Sequence, residues 1–281
     1  MHVLIVGCGW LGGAVAEALV ARGDRVTGVR RDPGRAQALR ALGAEPLALD
    51  LAGPEALAAL PEDLDAILAL QSAREDSREA YTRTYVQTGA NLLAAARGRR
   101  LRAVVQASST GVFGQRDGAW VDEGSPVAPA TPTAEVLAAA EALYLEAARN
   151  GIPARVLRLS GLYGPGRTWM LDRVRSGALA LGPGDGAWLN SCHRDDAVTA
   201  LLAVLDRGRD GAVYHATDAE PLRRRELIQW LSERLGIPAP VNPGAQPSGP
   251  DRRVSGAATR QELGLHLRWP SLREGLAPFL A

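Results

Sequence analysis

The chain contains no lysine: all 32 basic side chains among its 281 residues are arginine. That excludes chemistry built on an ε-amine, including lysine Schiff bases and Walker-type phosphate loops. Nor is positive charge concentrated, because 31 acidic residues leave a net charge of +1 spread evenly along the chain. Without a clustered basic footprint for a phosphate backbone, no nucleic-acid partner is expected. Arg223-Arg224-Arg225 is the one basic run, and it reads as a solvated helix face. Cysteine is scarce too. Cys8 and Cys192 are too few for a disulfide framework, and His193, directly beside Cys192, is no metal-ligand spacing, so no metal is expected. Long apolar runs are lacking: none approaches the ~20 residues that span a bilayer, and the first residues show neither a basic n-region nor a cleavage site. A cytoplasmic protein without a membrane partner is expected. What remains, 46% hydrophobic residues, is an ordinary globular composition with room for one large domain or a domain plus a smaller lobe.

Short apolar stretches alternate with helical spacing from the first residues onward. His2–Val6 reads as a strand, and Leu11, Val15, Leu19 and Val20 recur at helical intervals after a glycine cluster. Val26–Val29, Pro46–Leu51, Ala66–Leu70, Val104–Ala107 and Ala154–Leu159 continue the strand series. Helices are expected at Gln37–Leu42, Pro54–Leu60, Tyr81–Ala96 and Ala134–Ala148. Strands separated by helical crossovers predict an α/β fold, a doubly wound parallel sheet of Rossmann type covered on both faces. The rhythm breaks after Tyr163-Gly164-Pro165-Gly166, with a loop at Gly182–Gly186 and Pro- and Gly-rich sequence over Pro238–Pro250. The expected division is therefore a dinucleotide-binding domain over 1–166 and a smaller α/β substrate lobe over 167–281. Segments near 190–216, the helix around Asp195–Leu205 and the strand-like Ala212–Ala216, are expected to return to the first domain.

Gly7-Cys8-Gly9-Trp10-Leu11-Gly12 matches G-x-G-x-x-G and lies between an expected strand and a helix opening, where the motif has a mechanism. Gly7 allows a tight turn, Gly9 lets backbone approach a pyrophosphate, Gly12 lets helix pack on strand, and the helix N-terminus favours the anion. The following strand would ordinarily end in a carboxylate for the ribose hydroxyls of NAD. Val29 is followed instead by Arg30 and Arg31, which can grip a 2′-phosphate and stack on adenine. NADP is expected ahead of NAD, with the alternative that both arginines are solvated and Asp32 serves the ribose. Asp50-Leu51, ending the third strand, falls where adenine would lie, or else forms a strand-end turn.

Val105-Gln106-Ala107-Ser108-Ser109-Thr110-Gly111-Val112-Phe113-Gly114 resembles the fifth-strand motif of the extended short-chain dehydrogenase/reductases, which include NAD-dependent epimerases and dehydratases. Val121–Pro126, Arg158–Gly166 and His193-Arg194-Asp195-Asp196 follow in that family's order, so the resemblance covers essentially the whole chain. Arg253-Val254-Ser255 with Glu262-Leu263-Gly264 is similar to the terminal segment of an atypical subgroup. The resemblance places Ser109 on the catalytic Ser/Thr that hydrogen-bonds the reacting oxygen. The Tyr-x-x-x-Lys pair should follow Pro132, but Thr133 and Leu137 occupy those positions. In the family the tyrosine exchanges the proton while the lysine lowers its pKa and holds the nicotinamide ribose. Thr133 offers a hydroxyl that titrates too high to replace a phenol, and Leu137 offers nothing. Tyr85 stands where the family tends to carry Asn.

Three other side chains are candidates for the acid. Tyr144 lies eleven positions along the same expected helix from Thr133, about 16 Å at ~1.5 Å per residue, and reads as a packing residue. Tyr163 either approaches the nicotinamide end or shapes its loop. His193 is the candidate proton carrier of the second lobe, with a capping or core histidine as the alternative. Asp122-Glu123 resembles loop acids of the family, while Trp169, Met170 and Trp188 line a pocket or pack a core. Arg167 meets an anionic group or is simply a loop arginine. The expected partner is a small molecule, and a homodimer stays open. Two functional readings follow. The preferred one is an atypical NADP-dependent oxidoreductase or epimerase-like enzyme acting on a carbonyl or hydroxyl, sugar nucleotides included, through Ser109, Thr133 and His193. The alternative is a non-catalytic NADP-binding sensor or scaffold, to which the missing Tyr and Lys point.

Overall fold

The apolar run His2–Val6 forms strand β1, buried at every position, as a strand covered on both faces must be. It leads through the glycine turn into helix α1 (Trp10–Ala21) and then β2 (Arg25–Arg30). Helix α2 (Pro33–Gln37) opens with proline in its first turn and with Asp32 accepting the Arg35 N–H as N-cap. Strands β3 (Glu45–Ala48), β4 (Ala66–Ala69) and β5 (Ala103–Ser109) follow. Seven strands form one sheet in the order Val213–Ala216, Ala154–Leu159, β5, β4, β1, β2, β3. The pairings from β3 through β5 are all parallel. Strand order reverses between β1 and β4, the switch point at whose C-terminal edge a doubly wound sheet leaves a crevice. The expected α/β sheet is present, and Val213–Ala216 joins it as its outer strand.

The structure, a computed structural model, describes residues 1–244 and 249–280. Part of the Pro- and Gly-rich stretch expected as loop, 245–248, lies outside the described residues. Contacts divide the chain into two units. The first takes Met1–Val112, Thr131–Arg158 and Val198–Tyr214, and the second takes Phe113–Ala130, Leu159–Ala197 and His215–Ala281. This differs from a cut near residue 166, because the segment after β5 already leaves the first unit and only the later part of helix Arg194–Arg207 belongs to it.

Helix expectations need three corrections. Pro54–Leu60 is a 3₁₀ segment over Pro54–Ala59, and Gln37–Leu42 splits into the end of α2 and a 3₁₀ segment over Ala38–Leu42 stopped by Gly43. The third concerns Tyr81–Ala96. That helix begins at Arg78, with the Ser77 hydroxyl accepting the Ala80 N–H, and passes through a π-helical segment over Thr82–Gln87 before resuming as α-helix over Thr88–Ala96. Two threonines engage carbonyls here: Thr82 Oγ1 donates to Arg78 O at 2.8 Å and Thr88 Oγ1 to Arg83 O at 3.2 Å. Side chains that bond nearby carbonyls compete with the regular ladder and perturb it.

Helix Pro132–Arg149, capped by the Thr131 hydroxyl on the Ala134 N–H, packs along this wide stretch. Tyr144 is fully buried against Gly89, where a Cβ would come 3.1 Å from the phenol ring. The packing reading of Tyr144 is what the structure shows. On the same helix Glu141 is buried with Arg158: Nη2 donates to Oε2 at 2.8 Å and Nε to Oε1 at 3.0 Å. Ser108 Oγ donates to the same Oε1 at 2.6 Å, tying the end of β5 to the helix.

The second unit has its own core, in which Tyr163, Met170, Leu171, Val174, Leu227, Ile228, Leu231, Leu272 and Leu276 pack together. They come from helices Trp169–Arg175, Arg224–Leu235 and Leu272–Leu276. Trp169 is exposed while Met170 is core. Trp188 is stacked under two guanidiniums, Arg223 at 4.3 Å and Arg253 at 5.1 Å from its ring centroid. The arginine run is therefore not a simple solvated face, since Arg223 covers Trp188 and Arg225 pairs with Asp185 at 2.5 Å.

Removing one partner of a buried ion pair leaves an uncompensated charge. Glu141→Ala is expected to cost about 3–5 kcal/mol for that reason. Urea unfolding followed by circular dichroism checks it; an unchanged midpoint would show that Arg158 finds other compensation.

Candidate functional site

The first unit carries a cavity of about 350 Å³ at the C-terminal edge of its sheet, lined by Gly7, Gly9 and Trp10, by Val29–Asp32 and Arg35, and by Leu49–Ala52. Gln71, Ser72, Arg74, Arg83, Thr84 and Thr88 close its other side. Each glycine of the turn has its own geometric reason. Gly7 sits at φ +83°, and a Cβ there would collide with the Gln71 backbone, so both conformation and space demand glycine. At Gly12 a Cβ would fall 2.6 Å from Gly7 O and 3.3 Å from the Ile5 side chain, the close approach of α1 to β1. Gly9 differs: its nearest atoms would be 3.8 Å away or more. The space above Gly9 is open, and α1 begins beside it with no side-chain cap and no acidic residue in its first turn. This end of the helix suits an anion held by backbone N–H groups.

The charged groups around the cavity are sorted by what they already bond. Asp32 Oδ1 accepts the Arg35 N–H at 2.7 Å, so that oxygen is engaged in capping α2. Asp50 accepts from Ala52 N at 3.1 Å and from Arg83 Nη2 at 2.7 Å. Burial raises the Asp50 pKa, but the Arg83 and Ala52 hydrogen bonds outweigh it and hold the carboxyl below its usual range. Arg30 turns back over the glycine turn, with Nε donating to Cys8 O at 2.6 Å. Arg31, Arg35 and Arg74 line the cavity with no side-chain hydrogen bond or ion pair to any described residue. Three guanidiniums thus face a cavity whose two carboxylates are engaged elsewhere. Arg35, Arg74 and Arg83 escaped the sequence reading because they come from a helix, a loop and a π-helical turn, and none belongs to a motif. Gln71-Ser72 carried one signal, their place directly after the apolar run of β4.

Of the residues expected to bind cofactor, Gly7, Gly9, Trp10, Arg30, Arg31, Asp50 and Leu51 line this cavity. Leu51 is also part of the core, 3% exposed. Leu11 and Gly12 lie in the first turn of α1 without lining it. Ser109 ends β5 in the same unit, its Oγ accepting the Gly111 N–H at 3.0 Å, which leaves its own proton to donate. Thr133 stands in the first turn of helix Pro132–Arg149, 3.2 Å from the Thr131 hydroxyl, and Leu137 one turn on is buried.

Tyr163 and His193 belong to the second unit. Tyr163 is a core residue: fully buried, it donates its hydroxyl to Ser271 O at 3.3 Å and fills the space that a Cβ at Gly275 would need. Burial, with Asp218 and Cys192 nearby, drives its pKa far up. His193 is 2% exposed and sits between the rings of Tyr163 and Trp269 at 5.2 and 5.1 Å. Its Nδ1 accepts the Asp195 N–H at 3.2 Å, the capping geometry at the start of helix Arg194–Arg207. Burial lowers its pKa against the pull of Asp195 and Asp196. Both side chains are packed and bonded within their own unit. Among the described residues no cluster of three or more His, Cys, Asp or Glu could hold a metal, and no helix is long and apolar enough to cross a membrane.

Comparison with known proteins adds an independent line. A model of the NAD dependent epimerase/dehydratase family matches residues 3–217. The chain is 32% identical to a 4-hydroxy-2-methyl-3-oxo-4-farnesyl-3,4-dihydroquinoline-1-oxide ketoreductase of Stigmatella aurantiaca, over 84% of this chain and 73% of that one. It is also 32% identical to a 3-diazoavenalumate denitrifying reductase of a Streptomyces species, over 85% and 83%. In fold it is similar to the dTDP-glucose 4,6-dehydratase DesIV of Streptomyces venezuelae, with a TM-score of 0.86 over 100% of this chain and 96% of that one at 24% identity.

The two outer glycines and the middle one separate stability from binding. Gly7→Ala is expected to lower the thermal midpoint, since its Cβ meets backbone that cannot yield, whereas Gly9→Val keeps the midpoint and abolishes dinucleotide binding in calorimetry. Retained affinity in Gly9→Val would remove the turn from its role.

Proposed function

The chain belongs to the NAD dependent epimerase/dehydratase family, and on that premise we propose that it is an NADP-dependent oxidoreductase that reduces a carbonyl group. The single observation that carries the cofactor choice is the trio Arg31, Arg35 and Arg74, which faces the cavity without partners. A 2′-phosphate would give the three exposed guanidiniums a partner. A bare ribose diol would meet no free carboxylate pair, because Asp32 caps α2 and Asp50 is bonded to Arg83. The residues present fit a dinucleotide: open space over Gly9, uncapped helix N–H groups beyond it, and strand-edge residues on both sides. When bound, the nicotinamide supplies hydride-transfer chemistry.

The chain's own groups then have distinct tasks. The turn and α1 hold the pyrophosphate, the arginines select the adenosine end, and Ser109 directs its hydroxyl proton at the substrate oxygen. Reduction is favoured over epimerisation by the two relatives at 32% identity, a ketoreductase and a reductase. A non-catalytic NADP-binding role draws support from Thr133 and Leu137 in place of the proton-transfer pair.

A charge-assisted hydrogen bond contributes about 1.5–3 kcal/mol. Arg31→Ala is therefore expected to weaken NADPH about 10- to 100-fold while changing NADH by less than about threefold. Fluorescence titration of both coenzymes checks this; equal losses would refute the assignment. NADPH binding without oxidation in the presence of any ketone would favour the non-catalytic role.

A further inference from the structure

The chain has five tyrosines, and the structure divides them sharply. Tyr144 is fully buried against Gly89, Tyr163 donates to Ser271 O, and Tyr214 Oη accepts the Arg209 N–H at 2.8 Å and is 2% exposed. Only Tyr81 and Tyr85 keep contact with solvent, and both stand at the π-helical stretch Thr82–Gln87, with ring centroids 5.2 Å apart. Such wide turns interrupt a helix at a cost in regular bonding, and they are frequent at functional sites. Their surroundings point the same way. Thr84 of this stretch and Thr88 just beyond it line the dinucleotide cavity, and Gln71 Nε2 donates to Thr84 O at 3.3 Å. Arg78 Nη1 donates to Glu135 Oε2 at 2.7 Å, tying the turn that ends in Tyr81 to the first turn of the helix that carries Thr133. That helix also packs on the Thr110–Val112 turn directly after Ser109. Ser109, Thr133 and the Arg78–Tyr81 turn therefore converge on one helix.

We propose that Tyr81 is the catalytic proton donor of this chain, a phenol delivered from the helix after β4 to the place beside Ser109 and Thr133 that the missing tyrosine leaves. This rests on the carbonyl-reductase reading. Tyr81 Oη has no hydrogen-bond partner among the described residues, and its proton is free to pass to the carbonyl oxygen. The carbonyl carbon accepts hydride from the reduced nicotinamide coenzyme, which is oxidised as the carbonyl becomes an alcohol, and the phenolate regains its proton from water. Tyr85 is a positioning residue: its ring backs Tyr81, with centroids 5.2 Å apart. Burial, and then Asp76, raise the Tyr81 pKa. Charged groups at and around the turn include Asp76, Arg78, Glu79, Arg83 and Glu135.

The test reads the phenol itself. The near-ultraviolet phenolate band is titrated against pH in the wild type, Tyr81→Phe and Tyr85→Phe, each free, with NADP⁺, and with adenosine 2′,5′-bisphosphate. NADP⁺ places a pyridinium charge beside Tyr81, so one phenol is expected to titrate lower by about one pH unit. The bisphosphate, lacking that ring, leaves it unmoved. The shift is expected to vanish in Tyr81→Phe and persist in Tyr85→Phe. With ethyl acetoacetate as probe, Tyr81→Phe is expected to lose ~10²- to 10⁴-fold in kcat at unchanged NADPH affinity. NADP⁺ binding that moves no phenol, a shift that vanishes only in Tyr85→Phe, or an undiminished kcat overturns the proposal and leaves the cofactor reading standing. Failure of NADP⁺ to bind fells that reading and this one with it. Without turnover of the probe by the wild type, the titration decides alone.

Discussion

At Gly7 the end of β1 passes so close to the backbone at the end of β4 that no side chain fits between them. The site depends on that contact. It holds the glycine turn against Gln71, so that the mouth of α1, the strand tips of β2 and β3, and the loop after β4 share one cavity. Since β1 and β4 are the strands where the sheet order reverses, the turn lies at the point where a doubly wound sheet opens. Gly12 pulls α1 onto the same strand. The uncapped helix end is thereby fixed to the sheet by packing.

The parts of this arrangement that sequence reveals are those set by local rules. β1, the glycine turn and α1 are written in period and glycine spacing, and the strand series follows from short apolar runs. Other parts depend on partners distant in the chain. The π-helical register of Thr82–Gln87 reflects threonine hydroxyls competing for carbonyls, which no hydrophobic period encodes. Arg35 and Arg74 share a cavity with Arg31 only because the connections after β2 and after β4 end at one sheet edge. His193 and Tyr163 are conspicuous as residue types, yet their environment makes them a cap and a core ring. The unit boundaries were hidden for a related reason: Phe113–Ala130 leaves the first unit and Thr131 re-enters it with no change in composition.

A chain with arginine as its one strong base uses it in several chemically different ways. Arg158 is buried with Glu141, Arg155 donates to the carbonyls of Val204 and Leu205, and Arg223 lies over an indole. A guanidinium serves each setting because it stays charged, is planar and spreads its donors in a fork. Where no partner is supplied, at Arg31, Arg35 and Arg74, the same properties suit the phosphate that the proposed NADP preference calls for.

The π-helical stretch also joins two ends of the site mechanically. Arg83, bonded to Asp50 at the tip of the sheet, lies two positions from Tyr81 on the same turn. Whatever ligand competes for Asp50 or repels Arg83 therefore pulls on the backbone that aims the phenol. Helical geometry advances about 100° per residue, so shortening this turn by a single residue would swing the Tyr81 ring to a different face while leaving Thr88 and the helix beyond it in place. The chain's aim thus resides in a residue count, and evolution could retune it by insertion or deletion without touching any side chain.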